Sequence, residues 1–88
     1  MSCTVRIPSP LRSYTAGAAT VPAEGATLDE VLASLEQRFA GIRFRMVDEQ
    51  SRIRRHIRMY VNTDEVTALS QPVRSRDVVH VICALSGG

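Results

Sequence analysis

Two glycines close the sequence, Gly87-Gly88, and they offer its most direct chemistry. With glycine at about 7% of average composition, a chance pair at a terminus is roughly a 0.5% event, so the pair asks for a reason. Lacking a Cβ, such a segment can thread a narrow crevice and leaves its carbonyl open to attack. The chemistry this allows is activation of the terminal carboxylate by another enzyme. A frayed end is the plain alternative, because chain termini are commonly unconstrained. Cys83, a few positions upstream, could trap an activated carbonyl or carry a persulfide. Only His80 stands near enough in sequence to lower its pKa, and buried cysteine is usually inert, so packing is the preferred reading. Cys3 and Cys83 match no zinc spacing, and His56 and His80 are isolated, so no structural metal is expected. Asp64-Glu65 reads as a solvated turn pair rather than a catalytic one. His56 and His80 read as surface residues on strand faces turned away from the helix.

The second concentration of chemistry is basic. The formal charge is +2, and all 11 basic residues are arginine. Without lysine the chain has no side-chain amine to capture an activated carboxyl group, its own included, whereas arginine stays protonated and is a poor nucleophile. A genome-wide preference for arginine codons accounts for the same fact. Arg52, Arg54, Arg55 and Arg58, with Arg43 and Arg45, form a basic stretch that could meet nucleic acid or an acidic protein face. Only Phe44 and Tyr60 could stack bases, and Asp48 and Glu49 dilute the charge. A solvated surface suited to an acidic protein partner is therefore preferred, with no nucleic acid expected.

These residues need a scaffold. The first strand is Cys3-Thr4-Val5-Arg6-Ile7, with Cys3, Val5 and Ile7 on one face, ended by Pro8 and Pro10. A weaker strand runs through Ala19-Thr20-Val21, after a turn at Gly17. Thr27 can cap a helix, with Glu30 completing a capping box. Behind them Leu28, Val31, Leu32, Leu35 and Phe39 make one apolar stripe. Asp29 and Glu30 in the first turn and Arg38 in the last suit the helix dipole. Gly41 is placed to follow the helix as its C′ residue, with Ile42 folding back. Residues 42–51 show no clear period. Ile57, Met59 and Val61 alternate with Arg58, Tyr60 and Asn62, then Asn62-Thr63-Asp64 turns into a short return strand, Glu65-Val66. Leu69 fills a core gap, and Pro72 keeps its surroundings irregular. After Arg76-Asp77 the last strand points Val79 and Val81 inward and His80 outward.

The order β-β-α-β-(β)-β, with one main helix on one face of a mixed four- to five-stranded sheet, is the α+β arrangement called β-grasp, or ubiquitin-like. It pairs the first and last strands in parallel. Eighty-eight residues make one domain, 1–88, with a flexible tail from about residue 84. At about 1.5–3 kcal/mol per buried large side chain, loss of Leu35 or Phe39 should threaten folding. No apolar run reaches membrane-span length, and Met1-Ser2-Cys3-Thr4-Val5-Arg6 lacks a signal peptide's apolar segment, so a cytoplasmic protein is expected.

The chain resembles the bacterial sulfur carriers of the ThiS/MoaD type over nearly its whole length. The resemblance rests on Met59-Tyr60-Val61-Asn62 followed by Asp64-Glu65-Val66, on Asp77-Val78-Val79, and on Leu85-Ser86-Gly87-Gly88. Ile7-Pro8 with Leu11-Arg12, and the long 42–56 insertion, look most like the branch serving cysteine biosynthesis. Carriers of this group often have proline just ahead of the tail, where this chain has Cys83-Ala84. The resemblance implies a carrier without catalytic residues of its own and with no bound cofactor. An E1-like enzyme would use ATP to adenylate Gly88, and a sulfur donor would convert it to a thiocarboxylate. Gly87 and Ser86 would thread the enzyme's channel, and Leu85 would either anchor in a partner groove or pack on the sheet edge. The sulfur would go to a pyridoxal-phosphate-dependent cysteine synthase, with a metallopeptidase regenerating the tail. Thiamine thiazole, molybdopterin or a sulfur-containing secondary metabolite are alternative destinations. A ubiquitin-like protein modifier and a plain interaction module are alternatives of other classes.

Overall fold

The computed structural model describes residues 2–84. Five strands form one mixed sheet: β1 (Ser2–Arg6), β2 (Thr20–Glu24), β3 (Ile57–Val61), β4 (Asp64–Val66) and β5 (Val78–Cys83). Their spatial order is β2-β1-β5-β3-β4. β1 and β5 pair in parallel, Thr4 opposite Val78 and Arg6 opposite His80, as the sequence predicts. The other pairings are antiparallel, with Ile57 opposite Cys83 between β3 and β5. β2 is longer than its sequence signal and tolerates Pro22 because it is an edge strand, where a missing N–H faces no neighbour.

The main helix, α1 (Leu28–Arg38), begins as expected: the Glu30 amide donates to the Thr27 hydroxyl at 3.3 Å. The Glu30 carboxylate reaches one residue further back than in the standard box and accepts from the Ala26 amide at 2.8 Å. Two more first-turn donors are met by the irregular segment around Pro72. Leu28 N–H donates to the Gln71 carbonyl and Asp29 N–H to that of Leu69, each at 2.9 Å. The segment thus stays out of the sheet because its carbonyls finish the helix end. Leu28, Val31, Leu32 and Leu35 are fully buried.

Three features differ from the sequence reading. Phe39 is half-buried as the C-terminal cap of α1, so it packs against the core rather than in it. Gly41 is the N-cap of a second helix, α2 (Ile42–Met46), not the C′ residue of α1; its φ of +95° suits glycine. The Glu36 carboxylate takes the Gly41 and Arg43 amides at 2.8 and 3.0 Å, which joins the two helices and holds its pKa below the usual range. Five residues are too few for a clear period, which hid α2 from the pattern. The stretch after Pro8 is likewise a 3₁₀ segment, Ser9–Thr15, held by Leu11 in the core and by the Arg12 guanidinium donating to the Ile7 carbonyl at 3.0 Å.

The core lies between the sheet and these helices. Cys3, Val5, Ile7, Val21, Met59, Val61, Val79 and Val81 meet Leu28, Leu32, Leu35, Ile42 and Met46 there, all buried. No helix among the described residues is long and apolar enough to cross a membrane.

Candidate functional site

Leu85, Ser86, Gly87 and Gly88, the residues singled out for chemistry and docking, lie outside the described residues. What the structure defines is the base from which they start. β5 is the central strand, paired to β1 along its first half and to β3 along its length. The ladder continues one residue past the strand, where the Ala84 amide donates to the His56 carbonyl at 2.7 Å. Proline at this position would lack that donor, so Cys83-Ala84 extends the anchoring of the chain to the rim of the sheet. Ala84 itself is exposed. Beside it, Leu11, Tyr14, Arg45, His56 and Cys83 line a shallow cleft. The Arg45 guanidinium donates to the Tyr14 hydroxyl at 2.6 Å on one wall.

The sheet face away from the helices carries the outward residues of β3 and β5. Ile82 is 46% exposed there, opposite Arg58, and the half-buried His80 lies opposite Tyr60 on one side and Arg6 on the other. Val79 and Val81 point inward, as their alternation predicts, and Ile82, to which the pattern of buried positions assigns no role, points outward. The alternation that turns His80 outward also turns Ile82 outward, and an exposed isoleucine two residues from the last described position is the signal it offered. His56 stands in the turn before β3 rather than on a strand face, exposed.

Neither cysteine is set up as a nucleophile. Burial pushes the Cys83 thiol up, and burial is also the main cause that raises Cys3. Both are free. Cys3 lies near the start of β1, level with the residue before β5, whereas Cys83 ends β5, some six residues or roughly 20 Å along the strand. That separation forbids a disulfide between them. Among the described residues no group of three or more metal-ligating side chains is found. Asp64 and Glu65 are exposed, and Glu65 is occupied with Arg58 at 2.9 Å.

The basic stretch is divided by its contacts. Arg43 pairs with Asp29 at 2.7 Å and Arg52 with Asp48 at 3.5 Å. Arg54 lies over the Phe44 ring, 4.4 Å from its centroid, and donates to the Phe44 carbonyl at 2.7 Å. Phe44, 55% exposed, is therefore covered on one face by a guanidinium. The Asp48 carboxylate accepts from the Arg52 amide and from that of Gln50, and these bonds, that of Arg52 first, lower its pKa in the turn that leads to these arginines.

A five-stranded mixed sheet carrying one main helix, with its last strand in the centre, defines the β-grasp, or ubiquitin-like, fold. The family model described as the ThiS family matches residues 5–88, and the chain belongs to that family. It is 36% identical over 93 aligned positions to the sulfur carrier protein CysO of Mycobacterium tuberculosis, covering 100% of both chains. The crystal structure of that organism's CysO superposes with a TM-score of 0.88 at 34% identity, covering 93% of this chain and 98% of the other. A chain in the crystal structure of the Amycolatopsis orientalis BexX/CysO complex superposes with a TM-score of 0.91 at 38% identity, covering 98% and 99%.

Proposed function

We propose that this protein is a sulfur carrier, a single β-grasp domain whose residues 85–88 form its working tail and whose Gly88 becomes a thiocarboxylate. The observation that carries this is the diglycine end set four residues beyond an anchored, exposed Ala84, in a chain 36% identical throughout to a curated sulfur carrier. Four residues span at most about 14 Å, enough to enter a partner's active site from a fixed base.

A carboxylate resists nucleophiles because its leaving group would be oxide. An E1-like enzyme solves this by joining the Gly88 carboxylate to AMP, releasing pyrophosphate from ATP. A sulfide-level donor then attacks the carbonyl and AMP departs, leaving sulfur in place of one oxygen. The thiocarboxylate is anionic and nucleophilic yet tethered, so docking raises its effective concentration at the acceptor and no free sulfide is needed. Gly87 and Ser86 suit a narrow channel through their size, and Leu85 is the last apolar side chain available to a partner groove. The protein is thus a substrate of enzymes rather than an enzyme, and it acts in the cytoplasm. The likeness to CysO favours cysteine as the product, with a pyridoxal-phosphate-dependent synthase as acceptor and a metallopeptidase that frees the amino acid and restores the tail. The BexX/CysO complex shows a carrier of similar structure bound by another protein, which supports working through partners.

Deleting Gly88, or replacing it by alanine, is expected to abolish or sharply reduce adenylation, read as ATP–pyrophosphate exchange with the host's adenylating enzyme, while the thermal melt is unchanged. Exchange at the wild-type rate without Gly88 would remove the tail from the mechanism.

A further inference from the structure

The arginine segment is not used by the chemistry of the tail, and the fold gives it a definite shape. Arg52, Arg54, Arg55 and Arg58 line a groove with Ile53, Ile57, Val66 and Leu69, where β3 begins and the chain leaves β4. The floor is aliphatic: Ile57 and Val66 are buried, and Ile53 and Leu69 are half-buried against the core. Glu65 is the sole acidic residue in the lining. Its pair with Arg58 is solvent-exposed and weakly held, so an incoming carboxylate can exchange into it. Arg54 is already oriented by Phe44, and Arg55 is exposed without an ion pair among the described residues.

The location matters as much as the charge. The turn carrying Arg55 ends at His56, whose carbonyl holds Ala84. The groove and the origin of the tail therefore share one rim of the sheet, on opposite sides of β3. Two strand spacings, roughly 10 Å, separate β5 from β4. An enzyme that takes up the tail must cover this rim.

We infer that the groove seats an acidic segment of the enzyme that adenylates the tail, carboxylates on the arginine rim and an aliphatic side chain on the floor between them. Nucleic acid fits less well, because no aromatic ring lines the groove to stack a base, and Glu65 in the lining would repel a phosphate. This inference rests on the carrier reading above. Electrostatic complementarity of this sort acts on encounter and docking, so it belongs in KM and in salt dependence rather than in the chemical step.

The test compares Arg55→Glu and Arg52→Glu/Arg55→Glu with Arg74→Glu, an exposed arginine in the turn before β5 at the opposite rim. The substrate kinetics of each are measured with the host's adenylating enzyme at low and physiological salt. The expected result is a KM raised about tenfold or more in the groove variants, with kcat within about twofold and a flattened salt dependence, while Arg74→Glu behaves as wild type. Groove variants with the KM and salt dependence of Arg74→Glu would overturn the docking site and leave the carrier reading intact. Wild-type protein that is never adenylated would remove the carrier reading, and the docking site with it. Retention of wild type on heparin at physiological salt, lost in Arg55→Glu while KM is unchanged, would assign the groove to nucleic acid instead.

Discussion

Asp77 holds the turn that launches the strand leading to the tail. Its carboxylate accepts from the Arg74 amide at 2.9 Å and from the Asn62 side chain at 3.0 Å, and these bonds, that of Arg74 first, lower its pKa. Asn62 returns the link: its side-chain oxygen takes the Val78 amide at 3.0 Å, and its φ of +56° closes the β3–β4 hairpin. A carboxyl with a depressed folded-state pKa contributes stability above its unfolded value, about 3.9, and loses it as pH falls through the folded value. Asp77→Asn is therefore expected to lower the melting temperature at pH 7, with the gap to wild type closing as pH falls below about 4. A gap that stays constant from pH 7 to pH 2 would contradict this role. At this scale the sequence was partly legible: Asn62-Thr63-Asp64 and Arg76-Asp77 read as turns from residue types alone, whereas the bond between Asn62 and Asp77 joins residues 15 positions apart.

Among elements, α1 was read almost whole because its signals are local. Thr27, Glu30 and the spacing of Leu28, Val31, Leu32 and Leu35 all lie within three turns of chain. Gly25 escaped notice because its requirement is steric. A Cβ there would stand 2.7 Å from both the Glu30 Cβ and the Val31 amide nitrogen, at a φ of +153°. Gly25→Ala is therefore expected to cost roughly 1–3 kcal/mol through overpacking and backbone strain at the helix entrance. Urea unfolding measures this, and an alanine variant as stable as wild type would show that the entrance relaxes freely. The 3₁₀ segment and α2 were illegible for a related reason. Each is short and is fixed by partners far along the chain, such as Tyr14 with Arg45, 31 positions apart. Phe39 fits the helical period but falls where the helix ends, so periodicity overstated its burial.

Across the whole molecule, β-grasp topology puts the last strand in the middle of the sheet, and this decides how the end of the chain is presented. With β1 on one side and β3 on the other, β5 is no edge strand, and the base of the tail is hydrogen-bonded to the neighbouring segment through Ala84. The same arrangement gathers Ala84, His56, the arginine groove and the exposed Ile82 at one rim, although they come from separate segments. The sequence of elements along the chain could be read from the apolar patterns, but the shared rim could not, since it depends on the path of the segment that includes residues 42–51, where no period is visible. In the function proposed, the terminal carboxylate of Gly88 is the reacting group of a sulfur carrier. Intact-mass spectrometry after incubation with the host's adenylating enzyme, ATP and a sulfur donor tests it most directly. The expected result is a single exchange of oxygen for sulfur, located by fragmentation at Gly88. An unaltered mass with an enzyme proven active on another carrier would contradict it.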